Sequence, residues 1–301
     1  MLPTATTDLF EANQQRVAAL LALLYAQWRL MGDDLDAGWR RIGPRMTALT
    51  SAAMIGAARD GAAMVPTALD QQGMEVPRQL AVVEPTRFGR TASDGRALAP
   101  LLFSSVVAAR AADVGSLSER LEVGRQTLTR VAHTQVVDAA RQSAGATITA
   151  LPGTGYRRYV NPPCCQNCAI LAGVVYRHNA GFDRHPNCDC VHIPTTLDGA
   201  RRDDGYTEEI PDPSQIKDLT AAQRKAIDDG ADLSYVVNKR RDAFRQRMRT
   251  PGEQPGSRYK PRVGSVDWIY GQARTREQAV ELLTRYGYMR DPVRPWRRLA
   301  A

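Results

Sequence analysis

The chain lacks the marks of a secreted or membrane-inserted protein. Its opening residues, MLPTATTDLFEANQQ, hold no basic stretch followed by an apolar one, so they do not read as a secretory signal. The longest apolar stretch, Val17 to Ala26, falls far short of a bilayer span. A soluble protein made in a cytoplasm, with no membrane partner, is expected. Cysteine is missing from the whole chain except one window, because all five cysteines lie between Cys164 and Cys190. A tight cluster in a reducing compartment points to metal rather than to disulfides. No P-loop, H-E-x-x-H, G-x-S-x-G or paired catalytic carboxylate motif is present, so no small-molecule substrate is called for. Internal repeats and long low-complexity tracts are also absent.

What is present suits one large domain or two modest ones: 301 residues, 43% of them apolar, can bury a real core. Forty Lys and Arg against 32 Asp and Glu give a formal charge of +8. One segment sets that sign. Between Lys239 and Arg262 nine basic residues (Lys239, Arg240, Arg241, Arg245, Arg247, Arg249, Arg258, Lys260, Arg262) face only Asp242 and Glu253, a local +7. Such a run suits a polyanion or an acidic protein surface. The cations occur at many angles around a helix, which favours phosphate or acidic protein contact over base readout.

Apolar periodicity predicts a mainly α protein. Asp8 and Glu11 can cap a helix whose stripe is Val17, Leu20, Leu21, Leu24 and Trp28, ending near Met31. Gly32, Asp33 and Asp34 make a turn, and Trp39, Ile42, Met46 and Leu49 restart the period, which carries on to Ala63 as an antiparallel partner. Residues 66–97 read as irregular. Helices resume near Leu98 and from Leu117 to Gln142, then short strand-like pieces follow at Ala146–Thr149, Tyr156–Val160 and Val174–Tyr176. Thr220 with Gln223 forms a capping box for a helix closed by Gly230, a second helix runs from about Leu233 to Met248, and residues 250–264 read as a linker. Thr275 with Gln278 caps a last helix stopped by Gly287. These readings divide the chain into a helical N-terminal region (1–115), a central α+β module (116–200) and an extended and helical basic C-terminal region (201–301).

The informative constellation sits in the central module. Cys165 and Cys168 form a C-x2-C pair, and after sixteen residues His185 and Cys188 form an H-x2-C pair, a spacing that fits a four-ligand structural Zn2+ site. A tight turn brings both sulfurs of an x2 pair to one side, and thiolates with imidazole suit a soft tetrahedral ion. Cys190 leaves the fourth ligand open. If residues 188–192 form a strand, Cys188, Cys190 and His192 share one face, and Cys188 with Cys190 can replace His185 with Cys188. Packed, unliganded thiols and a disulfide are the competing readings, and Cys164, outside both pairs, is a spectator. On the upstream helix Gln135, Asp138 and Arg141 lie three apart, so one face can hold a hydrogen-bonded cluster against this module, or be an ordinary solvated face.

The segment from Tyr156 through Cys165, Cys168 and Gly173 to His185, Pro186, Cys188, Cys190 and Pro194 resembles the MuF domain of phage head-morphogenesis proteins, which ends on an HP-x-C-x-C-like signature. The helix RVAHTQVVDAAR (130–141) resembles the helix that precedes that domain in the actinobacterial-phage branch, and residues 226–241 are similar to its C-terminal segment. The chain departs from the pattern at Asp189, where Arg is commoner, and carries no preceding protease domain. The resemblance implies a structural minor capsid protein inside the virion head. Its partners would be the portal protein and the major capsid protein, with packaged double-stranded DNA nearby, and it would assist assembly, packaging or ejection. The N-terminal region would make the portal or head contact.

Two other classes compete. A zinc-containing nucleic-acid-binding protein is supported by the basic run. A zinc-dependent nucleic-acid enzyme of deaminase type requires H-x-E ahead of P-C-x-x-C, with the Glu as general acid/base. Here His133, Thr134 and Gln135 put an amide where that carboxylate is needed, and the order Pro163, Cys164, Cys165 breaks the second half. Gln cannot shuttle the proton, so no enzyme is expected.

Overall fold

A computed structural model of the chain describes residues 2–178, 190–197, 211–237 apart from Asp232 and Tyr235, and 262–290. It is mainly helical, with two small antiparallel sheets. Helix α1 (Thr4–Trp28) and helix α2 (Leu35–Gln71) form the expected hairpin. Asp34 closes the turn: its carboxylate accepts from the amides of Asp36 and Ala37 at 2.9 and 3.0 Å, satisfying donors that the first helical turn leaves open. Strand β1 (Val82–Val83) and a 3-10 turn (Pro85–Gly89) lead to α3 (Leu98–Ala111) and the long α4 (Leu117–Ala150). No helix of the described residues is long and apolar enough to cross a membrane.

Small residues set how closely the helices cross. A Cβ on Gly61 of α2 would lie 2.2 Å from the Ala140 carbonyl oxygen of α4, so only glycine permits this approach. Ala57, Ala58, Ala139, Ala140 and Ala144 line the same contact, fully buried, and the Ser143 hydroxyl donates across it to the Ala58 carbonyl. Interiors are packed to crystal density, so this crossing fixes α4 as the axis on which everything downstream is mounted.

The central sheet has the order β3-β2-β4, built from β2 (Thr154–Tyr159), β3 (Val175–Arg177) and β4 (Val191–Thr196), with Arg158 opposite His192 and Tyr159 opposite Val191. The short α5 (Gln166–Ala169) lies between β2 and β3. Helix α6 (Ala221–Asp228) begins at the capping box of Thr220 and Gln223, and Gly230 follows it at φ +96°. Leu233, Ser234, Val236 and Val237 are helical, and the rest of the helix expected to Met248 lies outside the described residues. Helices α7 (Val266–Gln272) and α8 (Arg276–Arg285) and strand β5 (Met289–Arg290) return to the N-terminal half. There β5 pairs with β1. Phe88 meets Tyr288 edge-on with ring centres 5.2 Å apart, and Arg87 donates to the Tyr286 carbonyl at 3.0 Å.

Three expectations are corrected. Residues Ala146–Thr149 are the last turn and a half of α4, not a strand. They are buried on every side, so the amphipathic period that marks a helix is absent, and Thr149 bonds back to Gly145 at 2.8 Å within the helix. Helix α2 continues past Ala63 through Pro66 to Gln71. The interior proline costs about 3 kcal/mol, offset by burial of Met64, Val65, Ala68 and Leu69. Helix α1 starts at Thr4, ahead of the Asp8 and Glu11 pair. One of its open amides is met from a distance, since Ala5 N donates to Gln71 Oε1 at 3.0 Å, and Gln71 Nε2 in turn donates to Thr4 Oγ1 at 2.9 Å.

Candidate metal centre

The inward face of the central sheet carries the site. Along β2 the side chains alternate, and Tyr156 and Arg158 point inward while Arg157 and Tyr159 are half-buried. Tyr156 stacks on Tyr176 of β3 and lies 4.0 Å, ring to ring, from His192 of β4. The same imidazole would sit 3.6 Å from a Cβ on Gly145, so His192 is wedged between the sheet and α4. Beside it Arg158, only 1% exposed, extends its guanidinium toward the cysteines.

After β2 the chain turns at Cys164, whose backbone is tied to the segment before α6. Cys164 N donates to Gln215 O at 3.1 Å, and Lys217 N donates to Cys164 O at 2.7 Å. Cys165 then serves as the N-cap of α5. Its Sγ accepts from the amide of Cys168 at 3.3 Å, and its carbonyl accepts from Cys168 N and Ala169 N. The C-x2-C pair therefore forms one tight turn, with an amide already directed at the first sulfur. Cys168 is buried, and Cys190 is buried where the chain enters β4.

One atom joins these elements. Arg158 Nη2 donates to Cys168 Sγ at 3.4 Å and to Cys190 Sγ at 3.8 Å. A guanidinium removed from water is stable only beside negative charge or several acceptors, and two sulfurs are among its acceptors here. Behind Cys190 stands a second buried cation. Arg141 of α4 donates to the Cys190 carbonyl at 3.4 Å and pairs with Asp138 at 2.5 Å, both side chains 5% exposed or less. One turn earlier Gln135 Oε1 accepts from Ser93 N at 2.7 Å. The face of α4 marked by Gln135, Asp138 and Arg141 is therefore internal, with Arg141 reaching the cysteine module.

Of the five sequence-derived metal ligands, the structure places Cys165, Cys168 and Cys190, while His185 and Cys188 lie outside the described residues. Among the described residues no three His, Cys, Asp or Glu side chains converge as ligands of an ion, and none of the described cysteines forms a disulfide. The donor set is one a thiolate-bound metal could use: an amide faces Cys165 Sγ, and the buried Arg158 guanidinium faces Cys168 Sγ and Cys190 Sγ, where it would offset thiolate charge. The basic residues Lys239, Arg240, Arg241, Arg245, Arg247 and Arg249 also lie outside the described residues.

Sequence reasoning missed Arg158, although its parity with Tyr156 on an alternating strand was the available signal. It also missed Arg276 of α8, which is 9% exposed and donates to the carbonyls of Ile148, Thr149, Leu151 and, at 2.7 Å, Thr154. This cation closes the end of α4 from 128 residues away, at the negative pole of the helix dipole. His178 lies in the same corner. Burial, and then Arg276, pushes its pKa down from 6.5 to about 4.

No protein-family model, no curated protein and no solved structure matches this chain.

Proposed function

We propose that the chain is a structural minor head protein of a tailed phage, of the MuF type, whose cysteine module is held by Zn2+ and docked on α4. The observation that carries this reading is the pairing of its two diagnostic segments. The helix 130–141 and the far end of the segment 156–194 meet across 49 residues: Arg141 of the first donates to the Cys190 carbonyl of the second, and within that segment Arg158 reaches both Cys168 and Cys190. Polar groups that an enzyme would present to substrate are here spent on joining elements. Cys165, Cys168 and two of His185, Cys188 and Cys190 would hold the ion. Zinc would contribute folding energy by crosslinking short elements that bury little apolar surface of their own. Within the head the chain would meet the portal protein and the major capsid protein. Co-expression with the portal protein of the same phage tests the reading: the two should co-purify and enter heads together. A chain absent from purified heads, or one that turns over a nucleic acid in a zinc-dependent way, overturns it.

A zinc-containing nucleic-acid-binding protein is the second reading, favoured by the local +7 of residues 239–262. Phosphate contacts release counterions, so binding to duplex DNA should then weaken steeply with salt and ignore sequence. Replacing Arg240, Arg241, Arg245 and Arg247 with Gln should flatten that slope and leave the cysteine module folded. Unchanged affinity and salt dependence in the quadruple variant would make the basic run an ordinary solvated surface.

A further inference from the structure

The outward face of α1 is uncharged over most of its length, as is the shorter one of α3, where Ala99, Pro100 and Val107 are exposed ahead of Arg110. Ala18, Ala19, Ala22, Leu23 and Ala26 are all exposed, as is Leu30 just past the helix end, with Leu23 at 51% and Leu30 at 54%. No charged residue interrupts this face between Glu11 at one end and Arg29 at the other, both exposed. By contrast, α2 turns Asp36, Arg40, Arg41, Arg45, Arg59 and Asp70 to solvent. A solvated helix face is ordinarily charged, whereas small residues at three- and four-residue spacing let two helices approach closely.

The arrangement of this face selects its occupant. Its positions are symmetric about the midpoint between Leu20 and Leu21. Reversing the helix there brings Ala19 onto Ala22, Ala18 onto Leu23, and Glu11 next to Arg29. Two copies of α1 laid antiparallel would therefore set each Leu23 over the Ala18 of the other copy and form two Glu11–Arg29 ion pairs, one at each end. A parallel pair would instead set Glu11 against Glu11 and Arg29 against Arg29. The antiparallel pair also opposes the helix dipoles favourably. We infer that the outer face of α1 is a two-fold self-association surface that joins two copies of this chain through an antiparallel helix pair. One helix pair buries less than the roughly 1,200 Å² of a standard stable interface, so the dimer is a weak, reversible one. The inference is independent of the metal and of the phage reading.

Sedimentation equilibrium of the full chain, from low micromolar to hundreds of micromolar, tests it. A reversible monomer–dimer equilibrium is expected. Ala22→Arg, at an exposed position where the fold is indifferent, should raise the dimer Kd at least about tenfold with an unchanged circular dichroism spectrum. Glu11→Arg and Arg29→Glu should each weaken the dimer, and the two together should restore it to within about threefold of wild type. The inference is overturned if the chain stays monomeric throughout, including the case in which this face binds a helix of a head partner instead. It is also overturned by a dimer that Ala22→Arg leaves intact, or by a double charge swap that restores nothing.

Discussion

Replacing Arg276 by alanine removes the buried cation that closes α4, and its cost can be worked from the contacts. The guanidinium reaches four carbonyls, those of Ile148, Thr149, Leu151 and Thr154. Two of them keep another donor, because Leu151 N donates to Ile148 O at 3.2 Å and Thr154 N to Leu151 O at 3.4 Å. The remaining losses are the bonds at Thr149 and Thr154 and the favourable charge at the helix terminus. A buried carbonyl that loses its donor costs about 1–3 kcal/mol, and the cation at the C-terminus adds about 0.5–1 kcal/mol. Against this, alanine spares the desolvation of the guanidinium, which lowers the pKa of Arg276. The net expectation is a loss of about 2–4 kcal/mol. Urea unfolding followed by circular dichroism gives the number, with Arg285→Ala as the control. Arg285 pairs with Glu281 in the open, both about two-thirds exposed, and should cost under about 0.5 kcal/mol. Arg276→Lys keeps the charge but loses the fork, and should fall between the two. If Arg276→Ala costs no more than Arg285→Ala, the assignment of Arg276 as the cap of α4 is refuted.

Two further outcomes follow from the buried cations and the histidine beside them. Arg158→Met should weaken the junction of β2, α5 and β4 by about 1–3 kcal/mol, because two buried sulfurs lose a charged donor, and on the proposed zinc reading it should also speed metal loss to a chelator; an unchanged urea midpoint would contradict this. His178 is charged in the folded chain only below about pH 4, against 6.5 for the free side chain, so between those values the unfolded chain binds a proton that the folded one refuses. Its contribution to stability is therefore complete above about pH 6.5 and declines as pH falls toward 4, by about 1–2 kcal/mol once solvent screening of this half-buried ring is allowed for. The difference in unfolding free energy between wild type and His178→Asn, measured across that range, should show this slope, and a flat difference would contradict it.

Local chemistry was legible in the sequence wherever its partners are close in the chain. The caps of α6 and α8 need only residues three apart: Thr220 with Gln223 forms a capping box, and Thr275 Oγ1 accepts from Gln278 N as a simple N-cap. The α1–α2 hairpin follows from the apolar stripe and the Gly32–Asp34 turn. Errors arose where a distant element decides the outcome. Gln71 takes the place of a local cap at the start of α1, and all-round burial hides the period at the end of α4. At the candidate site the sulfurs are evident from spacing, but the cations that hold their surroundings are not. Arg158 looks like one of two equivalent arginines until the sheet assigns their faces, and Arg276 reads as an ordinary first-turn residue of α8. Neither has a sequence neighbour that reports its partner.

The claim at the centre of this account is that the cysteine module is held by metal. Elemental analysis by plasma mass spectrometry on the full chain, purified without chelator and compared with Cys165→Ser and Cys168→Ser, tests it most directly. The account predicts about one zinc per chain in the wild type, from the four-ligand spacing, with loss of that zinc in both variants. A wild-type chain without stoichiometric zinc, or variants that retain it in full, would contradict the account.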